Sequence, residues 1–132
     1  MKILISIQKA LDAKVACQNL LQKSFPAKTT FKLIRLNEIL TKIEQSFLET
    51  RRLTILKYGK KDDQGNVVTE YLENGQSYIP IEKEYQQICT KELTEALLEE
   101  IEINATEINI DEFGDEILAG NDLIGLYPFL TE

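Results

Sequence analysis

The chain contains no histidine and no tryptophan, and it has only two cysteines and three prolines. Without imidazole, Ser-His-Asp and Cys-His triads, histidine-ligated zinc and histidine pH switches are all excluded. Cys17 and Cys89 lie far apart, and neither belongs to a Cys-x-x-Cys pair, which leaves a zinc site or a thioredoxin-like motif without support. Both are read as reduced, buried thiols rather than as a disulfide. The apolar run Ile3-Leu4-Ile5 beside Lys2 is too brief for a signal peptide or a membrane span. An intracellular protein that does not enter a membrane is therefore expected. No G-x-x-x-x-G-K-[ST] or G-x-G-x-x-G run is present to cradle a phosphate.

What the chain does have is ordinary bulk and an uneven charge. Its 132 residues are 43% hydrophobic and 28% charged, a composition suited to one globular domain spanning 1–132 with a single core. From Met1 to Lys61 there are 13 Lys+Arg and 4 Asp+Glu, whereas from Asp62 to Glu132 there are 2 and 18. A half with nine excess positive charges is thus joined to one with sixteen excess negative charges. The simplest consequence is that the halves face each other, within the fold or across an oligomer.

Hydrophobic spacing outlines the elements. Met1–Ile5 is a short strand or a frayed end. Ile7–Lys23 is a helix burying Ala10, Ala13, Cys17, Leu20 and Leu21, with Lys9, Lys14, Gln18 and Gln22 left for solvent. Pro26 stops it and opens a second helix reaching Tyr58, with Leu33, Leu36, Leu40, Ile43 and Phe47 on one stripe. At 1.5 Å per residue this helix is about 50 Å long, more than such a globule needs, so a kink or an end covered by another subunit is expected. The two helices form an antiparallel hairpin. Gly59 then acts as a left-handed helix stop. Val67–Leu72 and Gln76–Ile81 flank Asn74-Gly75 as a β-hairpin. A third helix over Glu82–Glu100 buries Tyr85, Ile88, Leu93, Ala96 and Leu97, and its acidic end calls for a basic neighbour, which the second helix can supply. Ile101/Ile103 and Ile108/Ile110 alternate as strands do, and Asn121 or Asp122 caps a short last helix. Tyr127, Phe129 and Leu130 dock onto the core or edge a subunit contact. The expected fold class is α+β: helix-dominated, with a long N-terminal helical hairpin, a small β-hairpin, a third helix and a short strand-plus-helix C-terminal segment.

No catalytic, cofactor-binding or metal site emerges. Setting Gly65 at the glycine of an EF-hand loop places Lys60 at the first ligand position, Gln64 at the fifth and Tyr71 where the bidentate glutamate belongs, so the template fails. Asp111, Glu112, Asp115 and Glu116 form the densest carboxylate cluster, yet no partner base or converging second cluster accompanies them. The basic residues along the second helix suit phosphates, but the acidic remainder and the lack of a recognition motif argue against nucleic acid.

The order of features carries one family resemblance. Pro26, Lys28, Thr29, Lys32 and Leu33 open the long helix, which closes in Tyr58-Gly59-x-Lys61-Asp62-x-x-Gly65-Asn66. An apolar end follows Gly120-Asn121-Asp122-Leu123. This layout resembles a group of small tailed-bacteriophage proteins of unknown function. The resemblance implies a phage or prophage gene and brings no catalytic residue with it. The expectation is a non-enzymatic interaction protein, in the virion or in the cytoplasm of the infected bacterium. As a virion or virion-assembly component it would contact itself or other phage proteins; as an infected-cell protein it would bind and inhibit or redirect a host factor, including a defence system. Arg51, Arg52, Tyr58, Tyr127 and Phe129 are the candidate contact residues, because Arg and Tyr often dominate interface energies.

Overall fold

A computed structural model of the chain describes residues 1–116 and 118–132. The chain is an α+β fold dominated by helices. In chain order the elements are β1 (Lys2–Ser6), α1 (Ile7–Leu21), α2 (Ala27–Tyr58), β2 (Glu70–Tyr71), β3 (Ser77–Tyr78), α3 (Gln86–Leu98), β4 (Glu100–Asn104), β5 (Ile108–Asn109), α4 (Gly120–Leu126) and β6 (Leu130–Thr131). Contacts divide the chain into two compact units, 1–46 with 98–132 and the intervening 47–97, and the dividing point at Ser46 falls inside α2. α2 is helical along its whole 32 residues.

The first unit holds the larger core. β1 and β4 pair antiparallel, with Ile3 opposite Ile103 and Ile5 opposite Ile101. Strand alternation turns these isoleucines inward and leaves Lys2, Leu4, Glu100 and Glu102 in solvent. The Ser6 hydroxyl accepts the Lys9 amide at 3.2 Å and so caps α1. Ala10, Ala13, Ala16, Cys17 and Leu20 form the buried face of α1. Most are small, and α4 comes close against them: a Cβ added at Gly125 would lie 2.9 Å from Ala16 Cβ and 3.1 Å from the Asp12 carbonyl oxygen. α1 and the first part of α2 form the expected hairpin, joined by the Cys17 thiol donating to the Leu33 carbonyl at 3.1 Å and by Lys14–Glu44 at 2.9 Å. Leu33, Leu36 and Leu40 are buried and Ile43 half-buried, as the stripe requires.

At the far end of the sequence, β5 and β6 pair in parallel, Ile108 opposite Leu130. Ile108, Phe113, Leu126 and Phe129 complete this core, and Phe25 meets the Phe113 ring edge-on at 5.3 Å between centroids. Asp122 does not cap α4. It lies buried inside the first turn, where it accepts the Asn19 side-chain amide at 3.1 Å, and Ala119 occupies the cap position.

The second unit is built differently. The long helix does end just before Gly59, as expected, but Gly59 has no positive φ and so is not a left-handed stop. It bridges to Ile81, and a Cβ there would meet Ile79 Cγ2 at 2.7 Å, so close packing excludes a side chain. Two turns of one kind follow. Gly65 N donates to the Asp62 carbonyl while Asp62 N donates to that of Asn66; Gly75 and Leu72 repeat the arrangement with Gln76. Each turn has three residues with glycine last and alone at positive φ, +82° and +86°. This is a wider hairpin loop than the two-residue Asn-Gly turn expected, which needs positive φ at both central positions. α3 starts later than expected, at Gln86 after a single 3-10 turn over Lys83–Tyr85. Tyr85 and Ile88, expected inside, are exposed, and Cys89 is the buried residue of α3.

The charged halves do meet within the chain. Lys2–Glu102, Lys23–Glu116 and Lys32–Glu112 bridge them in the first unit, and Lys57–Glu92 does so in the second. The basic neighbour found for the Glu99–Glu102 stretch is Lys2 at 3.5 Å, not α2. Lys14, expected in solvent, is buried against Glu44.

Candidate interaction surfaces

The five candidate contact residues separate by burial. In the first unit, Phe129 is fully buried: it closes the turn Tyr127–Phe129 and belongs to the core with Ile108, Phe113 and Leu126. Tyr127, two residues earlier, is 77% exposed. It lines a groove of about 560 Å³ between α1 and α4 with Val15, Asn19, Ile124 and Pro128. The Asn19–Asp122 hydrogen bond lies in the wall of this groove, and Gly125 sets the helix approach that shapes it.

In the second unit, Arg51 and Arg52 do come together. They line a shallow groove of about 470 Å³ with Leu48, Ile55, Thr69 and Tyr78, between the last turns of α2 and the β2–β3 hairpin. Arg52 is held by Glu49, with bonds of 2.6 and 3.0 Å to the two carboxylate oxygens, and this keeps the Glu49 carboxyl below its ordinary value. Arg51 makes no ion pair among the described residues. Tyr78 donates its hydroxyl to Glu70 at 2.7 Å, which pushes the phenol pKa up. Tyr58 is structural instead, only 8% exposed: its hydroxyl donates to Glu92 at 2.6 Å and its ring packs on Tyr85 at 5.5 Å. That hydrogen bond, assisted by Lys57, lowers the Glu92 pKa.

The buried groups offer little reactivity. Burial pushes the Cys17 thiol up to about 12, so it stays protonated and serves as a donor to Leu33. Burial, with the Glu92 charge behind it, also raises Cys89. Asp62 turns its carboxylate onto the Gln64 and Asn66 amides of its own loop, at 2.9 and 3.0 Å. Glu112, inside the acidic cluster, accepts from Lys32 at 2.6 Å and from the Asn109 amide at 3.0 Å. The lysine contact holds its carboxyl below the ordinary range. Among the described residues no three His, Cys, Asp or Glu side chains converge as a metal site would require. No described helix is long and apolar enough to cross a membrane.

The feature that sequence reasoning missed is the thin core of the second unit. Among its described residues only Tyr58, Gly59 and Cys89 are buried. Seven large apolar side chains of the same unit, Leu48, Leu53, Tyr71, Leu72, Tyr78, Tyr85 and Ile88, are exposed. The signal was present in the sequence: past Phe47 the apolar stripe of α2 breaks register, and the two hairpin turns leave few residues to pack against it. No family model, curated protein or solved structure matches the chain.

Proposed function

We propose that this chain is a non-enzymatic interaction protein of a tailed phage, a virion or virion-assembly component whose second unit is covered by a protein partner. One observation carries the reading: among its described residues this unit buries three and exposes seven large apolar side chains, which leaves apolar surface for a partner to cover. Contiguous apolar surface rimmed by polar residues is characteristic of protein contact sites. Arg51 and Arg52 beside Tyr78 supply the residue types that anchor such contacts. The phage setting rests on the sequence resemblance described above.

The test is mass spectrometry of purified particles beside an infected-cell lysate, with copy number measured against the major capsid protein. A fixed stoichiometry in particles is expected. Abundance in the lysate with absence from particles would overturn virion membership and move the weight to an infected-cell protein that binds a host factor. If the protein is captured with its partner, Arg51→Ala with Arg52→Ala weakens that complex tenfold or more, about 1.4 kcal/mol.

A further inference from the structure

The antiparallel sheet of the first unit has two strands among the described residues, β1 and β4, and its hydrogen-bonding phase follows from the bonds at its ends. The Ala105 amide donates to the Met1 carbonyl and the Ile7 amide to the Glu99 carbonyl, each at 2.9 Å. Bonded and non-bonded pairs alternate along an antiparallel ladder. Ile3–Ile103 and Ile5–Ile101 are therefore the bonded pairs, and Lys2, Leu4 and Ser6 on β1 face away from β4, as Glu100, Glu102 and Asn104 face away from β1. Among the described residues, the Lys2 and Leu4 main chains make no other backbone hydrogen bond.

The two outer edges differ in charge. The β4 edge carries Glu100 and Glu102, and such charges discourage strand addition. The β1 edge carries one charge, Lys2, at its start, and its centre carries Leu4, an apolar side chain 64% exposed on the solvent face of the sheet. Pairing β4 with β4 about Glu102 would set carboxylate against carboxylate. Pairing β1 with β4 of a neighbour would set Leu4 against a glutamate and leave an edge open at each end, which grows without closing. Pairing β1 with β1 about Leu4 sets Leu4 against Leu4 and Lys2 against Ser6, brings no like charges into opposition, and closes on a two-fold axis.

We propose that a second copy of this chain docks on the β1 edge, antiparallel and centred on Leu4, so that two two-stranded sheets become one of four strands. In this register each Leu4 amide donates to the other's carbonyl, and each Ser6 amide meets the Lys2 carbonyl opposite. Leu4 gains an apolar neighbour where it had solvent. The inference deepens the self-association part of the function proposed above, but stands on the first unit rather than the second.

Sedimentation velocity of the full chain over about a hundredfold concentration range tests it. A dimer is expected. Leu4→Lys places like charges directly opposite and raises the dissociation constant tenfold or more, with the circular dichroism unchanged because the side chain is exposed. Leu4→Cys gives a covalent dimer on mild oxidation, since Cα atoms in a bonded pair lie about 5.5 Å apart, within disulfide reach. The unsubstituted chain, with both thiols buried, gives none. A monomer at every concentration, a dimer indifferent to Leu4→Lys, or open-ended growth would each overturn the proposal. A monomer still found in particles would sink the strand pairing and leave the assembly reading intact; a dimer confined to the lysate would do the reverse.

Discussion

Lys14 and Glu44 offer the sharpest test of what holds the first unit together. The ammonium and carboxylate lie 2.9 Å apart, with the lysine side chain 11% exposed and the glutamate 32%. At an effective dielectric of about 20, two unit charges at this distance attract by about 6 kcal/mol. Removing them from water costs several kcal/mol per ion, so the intact pair contributes little net stability. Breaking it is another matter. Glu44→Leu strands the ammonium between α1 and α2, and because a fraction of Lys14 still reaches water the cost is about 2–3 kcal/mol, below the 3–5 of a fully buried pair. Lys14→Met costs about 1 kcal/mol, since the carboxylate left behind is a third exposed and rehydrates. The double variant fills the same space with apolar atoms and returns to within about 1 kcal/mol of the parent, where the singles sum to about 3–4 kcal/mol, a coupling of about 2–4 kcal/mol. The measurement is urea unfolding by circular dichroism, with amide hydrogen exchange of α1 to report this unit alone. Single variants that each cost under about 0.5 kcal/mol and simply add would refute the reasoning.

Three further outcomes follow from other residues. Phe129→Ala opens the first core and costs about 3–5 kcal/mol in urea unfolding, whereas Tyr127→Ala stays within about 0.5 kcal/mol. The folded Glu112 carboxyl sits below its unfolded value, so its stabilisation is complete above the ordinary glutamate range and is lost as pH falls through the depressed folded value. Between about pH 5 and pH 3 the unfolding midpoint of Glu112→Gln should therefore fall less steeply than that of the parent, and equal slopes would remove Glu112 from the account. Tyr58→Phe deletes the hydroxyl that Glu92 accepts, which costs about 1–2 kcal/mol and lets the Glu92 carboxyl titrate nearer its ordinary value, read by NMR.

Helices were the most legible part of this chain, because their evidence is local. The Leu33–Leu36–Leu40 spacing and Pro26 place the first half of α2 without reference to anything distant. Pairings were not legible. β1 meets β4 about a hundred residues later, and β6 meets β5 through only two residues each, too few for alternation to register. Gly59 read as helix punctuation and Gly125 gave no signal, yet each is needed because another segment passes within about 3 Å of where a Cβ would stand. Lys14 looked solvent-bound since a helical wheel cannot reveal a carboxylate on a neighbouring helix. Phe129 and Tyr127 show the same limit: composition marks both as contact residues, and only the direction of one 3-10 turn separates a core ring from an exposed one.

The placement of the two thiols has a practical consequence. Cys17 is buried in the first unit and Cys89 in the second, and the chain has no other cysteine. A thiol-labelling reagent under native conditions therefore acts as a pair of clocks built into the unmodified chain, each running only while its own unit is open. If the second unit is completed by a partner, the Cys89 clock should slow when that partner is added while the Cys17 clock keeps its pace.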